Sequence, residues 1–261
     1  MTDVPYVLRH DQGPVATLTL NRGERFNPLS MDMIGALRDA FDELAGARDI
    51  RVVVLAASGR GFCAGHDLKE MRANAGNEAW QRRLFDECSA MMLGITRLAQ
   101  PVIARVHGIA TAAGCQLVSM CDLAVASEAA SFALPGVNIG VFCSTPAVGV
   151  ARNIGRKRVM ELLLTGQPVD AETALAWGLV NRVVPADQLD AEVQRFAGLV
   201  ASRSAAAVAL GKRTFYEQVG QGLDAAYRAA GDAMTCNMSF ADAVEGIDAF
   251  LGKREAVWQD R

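Results

Sequence analysis

Gly59-Arg-Gly-Phe-Cys-Ala-Gly-His-Asp-Leu-Lys-Glu-Met71 is a glycine-rich segment that follows the most strand-like run of the chain, residues 52–56. A buried strand that ends in such a turn leaves backbone N–H groups free to point at a ligand. A second glycine turn, residues 108–114, follows another strand-like run, residues 102–106. Because open α/β sheets bind ligands at the carboxyl ends of their strands, we expect the two turns to form two halves of one site.

One N–H group from each turn could form an oxyanion hole, which stabilises the negative oxygen of an enolate or a tetrahedral intermediate. The first turn would contribute through Ala64, Gly65 and His66. The alternative is that the glycines only allow the two turns to pack closely. The side chain of His66 could titrate near neutral pH, or only its backbone N–H could matter.

Composition limits the classes of function that need to be considered. The chain has 261 residues, of which 51% are hydrophobic and 21% charged, which indicates one large domain, or one domain with a small appendage. The net charge of −3 gives no electrostatic footprint for nucleic acid. The six cysteines form no C-x-x-C pair and the three histidines are scattered, so we expect reduced core thiols and no metal site.

The N-terminus lacks the basic and apolar regions of a signal peptide, and no apolar run approaches the length of a membrane span. We therefore expect a soluble, cytoplasmic protein with no membrane contact. The sequence contains neither a G-x-S-x-G motif nor an H-E-x-x-H motif.

The order of elements predicts an α/β fold. Residues 4–10 and 15–20 flank a Gly-Pro turn and predict a hairpin, and Ser30 predicts the start of a helix that runs to about residue 48. The strands and helices that follow alternate, which favours a parallel sheet with crossover helices. From residue 186 onward the pattern is helical, so we predict two units, residues 1–185 and residues 186–261.

Two stretches, residues 62–70 and 107–124, resemble the enoyl-CoA hydratase/isomerase (crotonase) superfamily. The resemblance covers essentially the whole chain, since other motifs such as residues 245–254 follow in the family's order. Residues 135–146 resemble a divergent branch, the enoyl-CoA hydratase domain-containing proteins. This resemblance implies a crotonase-like spiral of ββα units followed by a helical C-terminal module for trimerisation. It also implies a homotrimer or a dimer of trimers, and coenzyme A that enters as the substrate thioester rather than as a separate cofactor.

The resemblance also implies roles for individual residues. The oxyanion-hole donors would be the backbone N–H groups of His66 and Ala113, where Ala113 stands at a position that is usually glycine in the family. The path of the CoA nucleotide and pantetheine would be lined by residues near the first turn and on the last helix: Arg25, Phe26, Ala64, Asp67, Leu68, Phe250 and Lys253.

The departures from the family concern proton transfer. Hydratases of this family use two glutamates, one that activates water and one that delivers the α-proton; this chain has Gln116 and Gly136 at these positions. Gln116 is neutral but could hold a water molecule or a substrate carbonyl. General acid–base catalysis typically contributes ~10²–10⁴-fold per group, so we expect standard hydration to be very weak unless another group substitutes. The candidate substitutes are His66, Asp67, Asn138, Cys143 and Ser144.

Three hypotheses follow for the function. The first is a crotonase-class lyase, isomerase or hydrolase that acts on acyl-CoA in fatty acid metabolism with a non-standard acid/base. The second is a non-catalytic oligomer that binds acyl-CoA, and the third is a purely structural or partner-binding trimer. On the first hypothesis, the double substitution Gln116→Glu with Gly136→Glu is expected to introduce or raise hydratase activity.

Overall fold

The computed structural model describes residues 4–260, so part of the N-terminus used to argue against a signal peptide lies outside the described residues. Within this range no helix combines the length and the apolar character required to cross a bilayer. The strands are β1 (Val7–Gln12), β2 (Val15–Leu20), β3 (Val52–Ala57), β4 (Val102–Val106), β5 (Ile109–Thr111), β6 (Leu123–Ser127), β7 (Ser131–Ala133), β8 (Val169–Asp170) and β9 (Arg182–Val184).

Helices cover most of the remaining described chain. The α-helices are α1 (Met31–Ala45), α2 (Leu68–Ala73), α3 (Glu78–Arg97), α4 (Ala113–Met120), α5 (Ser144–Val150), α6 (Arg156–Thr165), α7 (Ala171–Trp177), α8 (Leu189–Ala201), α9 (Ala205–Gln218), α10 (Leu223–Met238) and α11 (Ala241–Leu251). Short 3₁₀ helices occupy Gly23–Arg25, Pro135–Ile139 and Ala186–Gln188.

The main sheet has the order β1-β2-β3-β4-β6-β9, and only the β1–β2 pair is antiparallel. The predicted hairpin is present, with Gly13 at φ 56° in its turn. Helix α1 begins as predicted, because the side chain of Ser30 accepts a hydrogen bond from the N–H of Met33. The carboxyl ends of the parallel strands β3 and β4 lie at the same edge, which is where the two glycine turns begin.

The core lies on both faces of the sheet, and β3 is buried along its whole length. Val53 and Leu55 face a large apolar cluster that includes α1, α3 and α4, whereas Val52 and Val54 face a second cluster with α8. Side chains in a strand alternate between its two faces, so a continuous apolar run is expected where both faces are covered.

A second sheet, β5-β7-β8, was not anticipated from the sequence. Its strands contain three, three and two residues, which is too short for an alternating pattern to be recognised. Strand β5 follows Gly108 directly, so the predicted turn at residues 108–114 contains a strand before α4 begins at Ala113. This sheet positions the second half of the candidate site.

An ion pair between Lys212 of α9 and Asp122, both with largely buried side chains, connects helix α9 to the core. The Nζ of Lys212 donates to Asp122 Oδ2 at 2.7 Å, to the carbonyl of Ile95 at 2.9 Å and to that of Gln100 at 3.0 Å. The hydroxyl of Tyr216 donates to Asp122 Oδ1 at 2.8 Å. Burial lowers the pKa of Lys212, while the neighbouring Asp122 opposes that shift.

We expect Lys212→Met to destabilise the protein by roughly 3 kcal/mol, because it leaves Asp122 as a buried carboxylate without its cationic partner. The side chain of Lys212 is only 6% exposed. The matched control is Lys157→Met on the exposed surface of α6, which should change stability by less than about 0.5 kcal/mol. Urea unfolding measures both variants, and a Lys212→Met loss no larger than that of the control would contradict a stabilising ion pair.

Candidate functional site

The two predicted turns lie against each other. The segment after β3 runs beside β5, where the N–H groups of Phe62 and Cys63 donate to the carbonyl of Ile109 at 2.9 and 3.1 Å. The N–H of Thr111 returns a hydrogen bond of 2.9 Å to the carbonyl of Cys63. The first turn therefore pairs with the edge of the second sheet, which fixes the distance between the two turns.

Glycine is required where the turns touch. A Cβ atom at Gly114 would lie 2.1 Å from the carbonyl oxygen of Cys63. Gly65 has φ +90°, and a Cβ atom there would lie 2.9 Å from the Cβ of Ala112 and 3.1 Å from the carbonyl oxygen of Thr111. The glycines thus allow the two turns to pack closely, and this packing is compatible with a binding role; the alternative that they serve packing only stays a prediction.

The backbone N–H of His66 points away from Leu29, the residue with which His66 pairs. His66 forms an isolated parallel bridge with Leu29, in which the Leu29 N–H donates to the carbonyl of Gly65 at 2.8 Å. The N–H of Asp67 completes the bridge by donating to the carbonyl of Leu29 at 3.4 Å. Because successive N–H groups in an extended chain point to opposite sides, the N–H of His66 faces the other way.

The N–H of Ala113 is a second donor without a hydrogen-bond partner among the described residues. It is the first residue of α4, and the N–H groups of the first helical turn have no partner within the helix. The positive end of the α4 dipole adds to the attraction for a negative oxygen at this point. Both His66 and Ala113 line the same cavity, so the structure brings together the two residues assigned to the oxyanion hole.

The cavity has a volume of about 560 Å³. Three other predicted or adjacent residues, Ala64, Leu68 and Ala112, lie in its wall, together with Met71 of α2 and Phe85 of α3. The opposite wall is built from residues of the segment 135–146. Among the residues that the structure places around this cavity, none is Asp, Glu, Lys or Arg.

The ring of His66 is held in an apolar environment. Its Nε2 is buried without a hydrogen-bond partner in the described part of the chain, and the ring lies edge-on to Phe85 with centroids 5.6 Å apart. Burial lowers the pKa of His66 to about 4. The ring is therefore neutral at physiological pH and does not titrate near neutrality, which corrects the expectation from the sequence.

Gln116 is only 5% exposed, and its Oε1 has no hydrogen-bond partner within residues 4–260. It lies on α4 one turn beyond Ala113, but it is not among the residues that border the cavity. An unpaired buried acceptor is destabilising by about 1–3 kcal/mol, so a hydrogen-bond donor at Oε1 would stabilise this region. Its assignment as a catalytic residue stays a prediction.

The backbone of the loop leaves no room for a side chain at Gly136, the position of the family's second glutamate. A Cβ atom at Gly136 would lie 2.4 Å from the carbonyl oxygen of Val141 and 2.9 Å from the Sγ of Cys143. The N–H of Gly136 donates to that Sγ at 3.3 Å, and its carbonyl accepts from the N–H of Val141 at 2.9 Å. A glutamate at position 136 therefore requires a shift of the backbone, so the simple double substitution expected to restore hydration does not fit this loop.

Most other candidate acid/base groups are already engaged. Asp67 caps α2 by accepting from the N–H groups of Lys69 at 2.9 Å and Glu70 at 3.3 Å. Asp67 also pairs with Arg25 at 2.8 Å, so the positive charge of Arg25 is partly neutralised before any CoA phosphate arrives. The Oδ1 of Asn138 lies 2.7 Å from the position of a Cβ at Gly166, which directs that amide toward the end of α6.

The remaining predicted CoA contacts are divided between two places. Phe26 lies next to the first turn, since its carbonyl accepts from the N–H of Ala64 at 2.9 Å. Phe250 lies in the last turn of α11, whereas Lys253 lies in the turn that follows Leu251, so the expectation that both are on the last helix is wrong for Lys253. Neither residue borders the cavity within one chain. Phe250 is 83% exposed. A single chain thus brings together the residues near the first turn but does not bring Phe250 and Lys253 to them.

Two residues that sequence reasoning passed over hold the site in place. Asn27 is fully buried, and its Nδ2 donates to the carbonyls of Ser58, Gly61 and Phe62 at 2.9–3.1 Å. Its Oδ1 accepts from the N–H of Arg22 at 2.8 Å. Phe85 lies off the buried stripe of α3 and contacts His66. The sequence signals that could have indicated their roles are the position of polar Asn27 directly before Pro28 and the position of apolar Phe85 outside the buried stripe of α3.

In the described part of the chain, no group of three or more His, Cys, Asp or Glu side chains is arranged to hold a metal ion.

Comparison with known proteins places this geometry in context. The sequence profile described as enoyl-CoA hydratase/isomerase matches residues 10–261. The rat protein named "Enoyl-CoA hydratase domain-containing protein 3, mitochondrial" is 45% identical over 247 residues, which are 95% of this chain and 82% of the relative. The human protein of the same name is 44% identical over 244 residues, which are 94% of this chain and 80% of the relative.

Solved structures confirm the predicted crotonase-like α/β fold with a helical C-terminal region. The crystal structure of an enoyl-CoA hydratase from Mycobacterium smegmatis has a TM-score of 0.95 and 53% identity, and covers 98% of this chain and 99% of its own. The crystal structure of human enoyl-CoA hydratase domain-containing protein 3 has a TM-score of 0.93 and 43% identity, and covers 97% and 100% of the two chains.

The comparison with curated proteins contradicts the cytoplasmic location expected from the sequence. The similar proteins from rat, mouse, zebrafish and human are all named mitochondrial. The expectation was wrong because targeting is read from separate segments, and the composition of a folded domain carries little information about its compartment.

We expect Ala112→Gly to stabilise the protein by about 1 kcal/mol. Ala112 has φ 50° and ψ −121°, a conformation that glycine adopts readily and alanine does not. The matched control is Ala113→Gly, which lies in helical conformation and should lower stability by up to about 1 kcal/mol. Urea unfolding compares the two, and a lower midpoint for Ala112→Gly would show that the backbone there is unstrained.

The buried ring of His66 should make stability fall with acid. Because its pKa is about 4 in the folded state and 6.5 in the reference state, the unfolded chain binds a proton first as the pH falls. Between pH 7 and pH 5 this residue should remove about 2 kcal/mol from the free energy of unfolding. Urea unfolding at both pH values should show that loss in the wild type and a correspondingly smaller one in His66→Phe. Equal losses in the two proteins would contradict the low pKa.

Proposed function

Because this chain belongs to the enoyl-CoA hydratase/isomerase family, we propose that it binds acyl-CoA thioesters in the cavity beside His66. In this proposal the thioester oxygen accepts hydrogen bonds from the backbone N–H groups of His66 and Ala113. The observation that carries the proposal is that His66 and Ala113 line one apolar cavity and that neither backbone N–H has a hydrogen-bond partner within residues 4–260. Ala113 also lies at a helix N-terminus. Such preorganised donors favour the states in which the carbonyl oxygen becomes negative.

The chemistry of the cavity argues against standard hydration. Water addition needs a group that accepts a proton from water, and the cavity wall carries no carboxylate. Neutral His66, with a pKa of about 4, is a weak base. Among the lyase, isomerase and hydrolase reactions of the first hypothesis, we therefore favour one that forms its oxyanion without a carboxylate base in the cavity wall. The second candidate function is a non-catalytic acyl-CoA-binding protein, which is favoured by the closure of the loop at Gly136.

We also propose assembly into a homotrimer or a dimer of trimers. The C-terminal helices expose large apolar side chains, among them Leu223, Tyr227, Phe250 and Leu251, each at least 73% exposed. Exposed apolar patches of this kind mark interaction surfaces. In such an assembly Lys253 could approach CoA bound to a neighbouring chain, as the family resemblance implies. Sedimentation of the full chain is the direct measurement.

The function is tested with acetoacetyl-CoA, whose enolate absorbs in the near ultraviolet where its keto form does not. We expect binding in the micromolar range by calorimetry, with a larger enolate fraction in the bound ester than in solution. Ala64→Trp should weaken binding at least tenfold, because Ala64 lies in the cavity wall and is exposed. The matched control is Ala73→Trp, on an exposed face of α2 that does not border the cavity.

Three results would decide between the hypotheses. Heat of binding with an unchanged enolate fraction would favour a non-catalytic carrier. Equal binding by both tryptophan variants would place the ligand elsewhere. No heat with any acyl-CoA ester would leave only the structural or partner-binding trimer.

A further inference from the structure

A second cavity, with a volume of about 340 Å³, lies at the opposite edge of the main sheet from the two glycine turns. Its wall includes Arg51, directly before β3, and Pro101, directly before β4, whereas the glycine turns follow the carboxyl ends of these strands. The first turn of α9 forms another part of the wall. The volume is within the range of small-molecule sites, so this cavity can accept a ligand of its own.

Positive charge is concentrated in the wall of this second cavity. Among the described residues that border it, three are arginines, Arg48, Arg51 and Arg203, and Asp260 is the one acid. The chain as a whole has a net charge of −3. Arg51 and Asp260 form a two-pronged ion pair with N–O distances of 2.9 and 2.8 Å. Arg48 and Arg203 have no ion-pair partner within residues 4–260, so two positive charges remain available to an anion.

The carboxylate of Asp260 shows how this wall holds an anion. Besides its ion pair, its Oδ1 accepts a hydrogen bond of 2.8 Å from the N–H of Ala205, the first residue of α9. The next N–H, that of Ala206, belongs to a residue that borders the cavity and has no partner among the described residues. The N-terminus of a helix attracts negative charge. The chain's own carboxylate thus uses one donor of this helix end and leaves the next one for a ligand.

Gln100 adds a requirement for a hydrogen-bond donor in the ligand. It borders the cavity and is only 7% exposed. Its Nε2 donates to the carbonyls of Leu44 and Ala47 at 2.8 and 3.2 Å, but its Oε1 has no partner in the described part of the chain. The Nε of Arg51 is likewise buried without a partner there. Unpaired buried polar atoms are destabilising, so a ligand that pairs with them gains affinity.

We propose that this second cavity binds the phosphate monoester of a small hydroxylated molecule. A phosphate group has three terminal oxygens, which can accept from Arg48, Arg203 and the N–H of Ala206 together, whereas a carboxylate has only two. A hydroxyl group of the organic part donates to Oε1 of Gln100. The site is separate from the proposed acyl-CoA site, because none of the residues that border it also borders the cavity beside His66.

The test titrates the full-length protein with glycerol 3-phosphate by calorimetry at low ionic strength, where charge interactions are least screened. We expect a dissociation constant below about 1 mM. The matched probe is propyl phosphate, which carries the same charge but no hydroxyl, and should bind about fivefold more weakly because it leaves Gln100 unpaired. A saturating concentration of acetoacetyl-CoA should leave the affinity for glycerol 3-phosphate unchanged, since the two ligands occupy different cavities.

Two variants of the wall should change the affinity in opposite directions. Arg203→Met removes an exposed cation and should weaken binding of glycerol 3-phosphate about tenfold. Its matched control is Arg83→Met, at an exposed position of α3 that does not border the cavity, which should bind as the wild type does. Asp260→Asn removes a negative charge from the wall and should strengthen binding about threefold. A variant that only loosened the fold would weaken binding instead.

The outcomes are independent of those for the proposed function. No heat with glycerol 3-phosphate, or equal affinity in the wild type and Arg203→Met, would overturn the second site. Equal binding of propyl phosphate would overturn the role assigned to Gln100. Competition by acetoacetyl-CoA would place the phosphate in the acyl-CoA site and overturn the separate cavity, while the proposed function would stand. If acetoacetyl-CoA fails to bind but glycerol 3-phosphate behaves as expected, the proposed function falls and the second site remains.

Discussion

The contact between the two glycine turns is the constraint on which the site depends. Gly114 lies so close to the carbonyl of Cys63 that no side chain fits between them, and Gly65 is in similar contact with Ala112. This approach brings the first residue of α4 close to the first turn, so that His66 and Ala113 line one cavity. The same approach requires Ala112 to adopt a positive φ, so part of the strain at this junction follows directly from the position of the donors.

The loop at residues 135–146 leaves no room for a side chain at the position of the family's second glutamate. Gly136 is hydrogen-bonded through both its N–H and its carbonyl to residues of its own loop, and the space for a side chain is filled by Val141 and Cys143. The loss of the second acid is therefore a property of the whole loop rather than of one residue. In the proposed function, such a cavity would stabilise negative charge on a thioester oxygen and leave proton transfer to neutral groups.

Elements with a long hydrophobic pattern, or with glycine, proline or capping residues at their ends, could be predicted from the sequence. The hairpin, the buried strand β3, helix α1 with its Ser30 cap and the two glycine turns all belong to this group. The second sheet could not, because its strands are only two or three residues long and pair with segments that are distant in sequence. The closure at Gly136 and the direction of the His66 ring were equally hidden, since each depends on tertiary contacts that leave no periodic signal. The division at residue 186 stays a prediction, although α8 packs on the sheet and α9 is fastened through Lys212.

The low pKa of His66 completes the electrostatic description of the cavity. A protonated ring next to its own N–H would attract any anionic group to the cavity. Burial against Phe85 keeps the ring neutral, so the field in this part of the cavity comes from backbone N–H groups and the end of α4. Fixed dipoles aimed at one point act most strongly when charge develops at that point. In the proposed function, an apolar wall with a neutral histidine would therefore confine the stabilisation of negative charge to the thioester oxygen, which is the condition that differential stabilisation requires.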